Sequence, residues 1–205
     1  MELFLDNDII LKLASADLLQ EIEKIFNTDP KSIYILPTAK HYVLRNKKLK
    51  KKYSQEELNN ALSFISNYSI IPDDYINQER FISLSNIENI DTGEQALFAV
   101  LPKSVDFLIL TRDKTALVKL YKQPNLDNIK KDLAGKIVCL ESIILMLLEL
   151  NSFEEISKKI IDSNYCGDIA LEIIFSQTHM TLENVQFALN SYYRDLKKQT
   201  GDLLL

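Results

Sequence analysis

Short apolar runs alternate with stretches of helical periodicity over the first 150 residues of the chain. Apolar residues that recur at three- and four-residue spacing predict helices at 9–26, 38–45, 54–67, 92–101, 114–121 and 141–150. The short runs between them predict five β-strands, at 2–5 (ELFL), 32–37 (SIYILP), 68–72 (YSIIP), 106–110 (DFLIL) and 136–140 (KIVCL). This alternation predicts an α/β fold in which a mostly parallel sheet is covered by helices on both faces.

The pattern changes after residue 150, where no strand-like run remains. Three helices are predicted there, at about 153–163, 167–177 and 181–198. We therefore predict two parts: an α/β domain over residues 1–150 and a helical C-terminal extension over residues 151–205. In the last helix, Leu182, Val185, Leu189 and Tyr193 form a stripe that favours packing on the chain's own core over binding a partner.

The composition is that of a globular protein, with 46% hydrophobic and 26% charged residues among 205. Glu2 and Asp6 interrupt the first apolar residues, so no signal peptide is predicted. The most apolar window, 137–150, carries two glutamates and is too short to cross a bilayer. We expect a cytoplasmic protein without a membrane segment, in which Cys139 and Cys166 are buried free thiols.

The net charge of -5 argues against a purely electrostatic nucleic-acid binder, but it allows a local basic patch. Residues 45–52 (RNKKLKKK) contain six Lys or Arg residues in eight positions. A solvated helix face or loop is the plain alternative for such a run. As nucleic-acid-binding residues we predict Lys47, Lys48, Lys50, Lys51, Lys52 and, near the acids described next, Arg112.

Acidic residues follow two predicted strands and begin one predicted helix. Asp6 comes directly after the first strand, Asp113 follows the strand DFLIL, and Asp91 and Glu94 stand three residues apart on one helix face. Carboxyl ends of parallel strands meet at one edge, so these acids are expected to lie together, where a hard divalent cation would relieve their repulsion. Taken singly, each acid is also explained as a helix cap or a turn residue.

In the segments LFLDNDIILKLA, DTGEQALFAV, FLILTRDKTAL and GKIVCLESIILMLLE, and in their order, the chain resembles the PIN-domain nucleases. The resemblance covers about residues 1–150 and implies a Rossmann-like three-layer sandwich that hydrolyses RNA with Mg²⁺ or Mn²⁺. It also implies the catalytic residues Asp6, Glu94 and Asp113 and the metal ligands Asp6, Asp91, Glu94 and Asp113. In such a site Thr111 would orient Asp6 or Asp113 through its hydroxyl; the alternative is a β-branched residue that only ends a strand. Many members resemble toxins held by a protein inhibitor, and many form homodimers.

The chain departs from the pattern of that family at two places. The helix after the second strand carries Lys40, His41 and Tyr42 where many members have a glutamate, and KTALVKL lacks a further acid. A catalytically degenerate module that binds RNA or a protein is therefore the alternative. A third interpretation is a phosphatase that resembles the haloacid dehalogenases, with Asp6 as nucleophile, Asp8 as acid/base and GDIALE (167–172) as its late acidic motif.

Overall fold

The computed structural model describes residues 1–104 and 106–205, and its centre is a five-stranded parallel sheet. The predicted α/β fold is confirmed, and each predicted apolar run contains a strand. The order across the sheet is β3-β2-β1-β4-β5. The strands are β1 (Glu2–Leu5), β2 (Ile33–Ile35), β3 (Ser69–Ile70), β4 (Phe107–Leu110) and β5 (Ile137–Val138).

Helices connect the strands and make up the C-terminal extension. Along the α/β part they are α1 (Asn7–Ser15), α2 (Glu21–Phe26), α3 (Ala39–Arg45), α4 (Leu49–Lys52), α5 (Gln55–Asn67), α6 (Gln78–Ser85), α7 (Thr92–Phe98), α8 (Lys114–Lys122), α9 (Asp127–Leu133) and α10 (Leu140–Leu150). The extension contains the three predicted helices, α11 (Phe153–Asp162), α12 (Ile169–Phe175) and α13 (Leu182–Thr200). Short 3₁₀ turns lie at Pro30–Ser32, Asp73–Tyr75, Pro124–Leu126, Tyr165–Gly167 and Gly201–Leu203.

The sheet separates two hydrophobic cores because successive strand residues point to opposite faces. Leu3 and Leu5 of β1 belong to the core that α1, α5 and α10 cover. Phe4 belongs to the other core, which α7, α8 and α9 cover. Because every strand pair is parallel, the carboxyl ends of all five strands lie at one edge of the sheet.

The C-terminal extension packs into both cores. Leu171 and Leu189 are buried in the first core, and Leu196 is buried in the second. At the end of the chain Leu204 forms a parallel bridge with Ile137 of β5, although the sequence pattern shows no strand there. The extension is thus bound to the sheet through side chains and backbone.

The single helix predicted over 9–26 is wrong, because the chain leaves the helix after Ser15 and begins α2 at Glu21. Asp17 adopts a left-handed conformation with φ of 52°. The Leu18 N–H donates to Leu13 O at 2.8 Å, and the Asp17 N–H donates to Ala14 O at 3.2 Å. These two bonds form a Schellman motif, which satisfies the last carbonyls of α1 and turns the chain.

Two further expectations concern the apolar helix and the thiols. The described part of the chain has no helix that is both long and apolar enough to span a membrane. Cys139 and Cys166 are buried and free, as predicted. Burial raises the pKa of each thiol to about 11, which keeps both protonated at neutral pH.

Candidate functional site

Asp6 and Thr111 directly follow β1 and β4, which are neighbouring strands of the sheet. The register pairs Leu5 of β1 with Leu110 of β4, and the Asp6 N–H continues the ladder by donating to Leu110 O at 3.0 Å. Thr111 Oγ1 donates to Asp6 Oδ2 at 3.0 Å and accepts from the Asp113 N–H at 3.2 Å. The hydrogen bond expected of Thr111 is therefore present, and it links the two aspartates that follow β1 and β4.

The start of α7 brings two more acids to the same edge. Asp91 is the N-cap and accepts from the Glu94 N–H at 2.9 Å, while Glu94 Oε2 accepts from the Asp91 N–H at 2.8 Å. Gly93 lets this turn approach Leu36, the residue after β2, since a Cβ at Gly93 would lie 3.1 Å from Leu36 Cδ1. The capping explanation of this pair is correct, and it coexists with a place at the sheet edge.

A cavity of about 280 Å³ opens at this edge, and every charged residue that lines it is an acid. It is lined by Asp6, Asn7, Asp8, Leu36, Thr38, Tyr42, Asp91, Thr92, Gly93, Glu94 and Asp113. Four predicted metal ligands from three separate segments thus meet in one place, and Asp8 joins them. Tyr42 of α3 occupies part of the wall, and its hydroxyl donates to Asp8 Oδ1 at 3.4 Å.

Burial and the neighbouring acids raise the pKa values of two cavity carboxyls, those of Asp6 and Glu94. Burial and the neighbouring Asp8 raise the pKa of Asp6 from 3.8 to about 7, against the opposing hydrogen bond from Thr111. Burial, followed by a hydrogen bond with Asp113, raises the pKa of Glu94 to about 9. A cation in the cavity would favour the ionised forms of both groups, so its binding would release protons.

No family model matches the chain, and no curated protein or solved structure matches it significantly. The interpretation of the cavity therefore rests on its own chemistry.

The oxygen atoms at the cavity suit a hard cation that keeps part of its water shell. Among residues 1–104 and 106–205, no set of three His, Cys, Asp or Glu side chains forms a ready metal-coordinating group. Mg²⁺, however, commonly uses one or two carboxylates and several waters. Asn7 adds a further oxygen, because its buried Oδ1 has no hydrogen-bond partner in the described structure. The residues present therefore fit Mg²⁺ or Mn²⁺, and metal binding stays a prediction.

The predicted basic segment lies outside the cavity. Its five lysines are exposed, while Leu49 and Tyr53 are buried and anchor α4. The Lys52 ammonium lies 5.2 Å from the centre of the Tyr53 ring. A Cβ at Gly167 would come within 3.1 Å of Lys52 Nζ, so the segment borders the C-terminal extension. Nucleic-acid binding by these lysines stays a prediction.

An ion cluster of Lys12, Arg112 and Asp168, which does not line the cavity, was not predicted from the sequence. Lys12 Nζ lies 3.2 Å from Asp168 Oδ2, and Arg112 Nε donates to the same oxygen at 3.0 Å. Burial opposes ionisation of Asp168, but Lys12 and Arg112 outweigh it and lower the pKa of this carboxyl. The only sign of this cluster in the sequence is Lys12, a charged residue in the otherwise apolar run IILKLA.

The same cluster bears on the phosphatase interpretation. Asp168 caps α12, accepting from the Ala170 N–H at 3.0 Å, and it does not line the acidic cavity. GDIALE is therefore a helix start, as its sequence pattern also indicates.

Proposed function

We propose that this protein is a metal-dependent nuclease that hydrolyses phosphodiester bonds in RNA, with Mg²⁺ or Mn²⁺ as its cofactor and the cytoplasm as its location. The observation that carries the proposal is the convergence of Asp6, Glu94 and Asp113 on one cavity at the carboxyl edge of the sheet. The pKa values of Asp6 and Glu94 are raised at this edge, and a bound cation would favour the ionised form of both carboxyls.

Asp6 and Asp113 would supply oxygen ligands, and Thr111 would keep Asp6 in position through its hydroxyl. A bound divalent cation lowers the pKa of water and offsets charge on the phosphate oxygens during hydrolysis. Glu94 holds a proton at neutral pH in the metal-free protein, and it would accept one from water once ionised. Asp91 and Asn7 remain at the wall as further oxygen donors.

Positive charge outside the cavity would hold the RNA backbone. The lysines of residues 47–52 are exposed, and Arg112 lies next to Asp113 in the chain. Phosphate contacts of this kind supply most of the affinity of sequence-independent binding. A protein partner or inhibitor, as in toxin–antitoxin pairs, and a homodimer stay predictions.

The first experiment is a Mn²⁺ titration monitored by thermal denaturation. Wild type should be stabilised by several degrees at saturation, because a ligand that binds only the folded state adds about 2.7 kcal/mol at a hundredfold excess over Kd. Asp6→Asn and Asp113→Asn should lose most of the shift; both keep a hydrogen-bonding side chain, and asparagine still caps α8. Asp132→Asn, which removes an acid paired with Arg80, is the matched control.

Cleavage of a labelled RNA then tests the reaction itself. Wild type with Mn²⁺ should cut the RNA, and Asp6→Asn should not. Metal stabilisation without cleavage, or RNA binding without metal stabilisation, would instead favour the catalytically degenerate module. An aspartyl adduct with beryllofluoride on Asp6 would favour the phosphatase.

A further inference from the structure

Three segments far apart along the chain meet at the carboxylate of Asp168. Its Oδ2 receives Arg112 Nε at 3.0 Å and lies 3.2 Å from Lys12 Nζ. Its Oδ1 accepts from the Ala170 N–H at 3.0 Å and from the Leu171 N–H at 3.3 Å. Both oxygens are thus occupied, and the carboxylate is fixed by the start of α12.

Lys12 is fixed just as firmly. Besides Asp168, its ammonium donates to Cys166 O and Gly167 O, each at 3.2 Å. Those carbonyls belong to a turn in which Asn164, Tyr165, Cys166 and Gly167 all have φ between 51° and 57°. Left-handed conformations at non-glycine residues cost about 1–2 kcal/mol each.

Stability alone is a weak explanation for such an arrangement. Buried ion clusters often contribute no more than apolar residues of the same size, because desolvation offsets their attraction. The left-handed turn adds a further cost. What the cluster does achieve is a fixed position for the one member that reaches solvent.

That member is Arg112, whose side chain is 40% exposed, against 6% for Asp168 and 3% for Lys12. Among the residues that the structure describes, Asp168 engages only Nε, so four of the five guanidinium N–H donors remain. Arg112 stands between Thr111 and Asp113, and its charge is close enough to Asp8 and Asp113 to interact with both. A planar, pre-oriented fork of donors beside an acidic cavity suits a phosphate group.

We infer that Asp168, supported by Lys12, is a positioning residue that holds Arg112 at the rim of the acidic cavity, where Arg112 binds a phosphate of the RNA. This inference rests on the proposed function and deepens it. The C-terminal extension then supplies part of the substrate site, although none of its residues lines the cavity.

The test is RNA binding in a background that cannot cleave. Asp6→Asn protein is titrated with a short fluorescent single-stranded RNA, and anisotropy is recorded at several salt concentrations. Arg112→Gln and Asp168→Asn should each weaken binding about tenfold, the loss expected for one charge-assisted hydrogen-bonded contact. Arg112→Gln should also reduce the slope of log K against log salt by about 0.7, the value for one phosphate contact on a single strand.

Non-additivity separates positioning from a merely structural role. If Asp168 acts through Arg112, the double variant Arg112→Gln/Asp168→Asn should bind RNA no worse than Arg112→Gln alone. Additive losses, or full binding by Asp168→Asn, would overturn the inference. Asp168→Asn removes the carboxylate that balances the buried charge of Lys12, so the variant Lys12→Gln/Asp168→Asn is measured too. The same loss of RNA binding is expected there, in protein that melts cooperatively.

Asp132→Asn, which breaks the ion pair with Arg80, is the control and should bind RNA as the background does. The Mn²⁺ titration on wild type is run in parallel. Metal stabilisation without any RNA binding would overturn this inference and leave the metal site standing. Arg112-dependent and Asp168-dependent RNA binding without metal stabilisation would support the inference while overturning the nuclease.

Discussion

Thr111 decides how the Asp6 carboxylate is presented at the cavity. Its hydroxyl is buried, donates to Asp6 and accepts from the backbone of Asp113. Removal of the hydroxyl by Thr111→Val should weaken Mn²⁺ binding about 10- to 100-fold, the usual effect of losing a group that orients a metal ligand. Isothermal titration measures the affinity, and Thr111→Ser should retain it; equal losses in both variants would contradict this account.

The protonation of Asp6 should be visible in the stability of the metal-free protein. The pKa of Asp6 is about 7 in the folded state and near 3.8 in the unfolded chain. The protonated carboxyl therefore stabilises the folded state fully below about pH 4, and this stabilisation is lost as the pH rises through 7. The loss is a few kcal/mol, at about 1.4 kcal/mol per unit of pKa. Urea denaturation in EDTA should show a smaller decline between pH 4 and 8 for Asp6→Asn than for wild type. Parallel curves would refute the assignment.

At the level of elements, the start of α7 has two functions in the same residues. Asp91 caps the helix and also lines the cavity. Asp91→Ser should preserve the cap, whereas Asp91→Ala should cost about 1 kcal/mol of stability. If the Asp91 carboxylate contributes to the metal site, both variants should lose Mn²⁺ affinity equally. Thermal denaturation and metal titration separate the two functions, and full affinity in the serine variant would limit Asp91 to capping.

Helices that bury few residues escaped prediction from sequence. Leu49 is the only buried residue of α4, Leu84 the only one of α6, and α9 buries Ile129 and Leu133. So little burial leaves no clear periodicity to read. The opposite error joined α1 to α2, because apolar spacing continues through the turn at Asp17, where the backbone changes direction.

The acidic residues at the edge of the sheet were predictable because each of them directly follows a strand or begins a helix in the sequence. Asp6 and Asp113 follow strands, and parallel strands bring their carboxyl ends together. The partner of Arg112 was not predictable, since Asp168 is 56 residues away and reaches it only through packing of the extension. Local sequence patterns therefore predict where the acidic residues lie, whereas the ion-pair partners of the basic residues depend on tertiary packing.

Across the whole molecule, the two sequence-defined parts share their cores. Leu171 and Leu189 of the extension are buried in the same cluster as Leu3 and Leu5 of β1. We expect a single cooperative unfolding transition, with fluorescence and circular dichroism giving the same midpoint. A fragment of residues 1–150 would lack Leu171 and Leu189, would leave the core that they complete partly uncovered, and should not fold cooperatively. Two separate transitions in the full chain would show that the parts are independent.

The ion cluster around Asp168 makes the stability of the whole fold sensitive to acid. The pKa of Asp168 is lower in the folded state than the 3.8 of the unfolded chain. The ionised carboxylate therefore stabilises the fold fully above about pH 3.8, and this stabilisation is lost as the pH falls through the folded-state pKa. Asp168→Asn should therefore cost about 3–5 kcal/mol at pH 7, the usual penalty for an unpaired buried charge, and clearly less below pH 4. Asparagine keeps the cap on α12, so the difference reports charge. Urea denaturation at pH 7 and at pH 3 measures it, and an equal cost at both would show that Lys12 and Arg112 gain nothing from the ionised carboxylate.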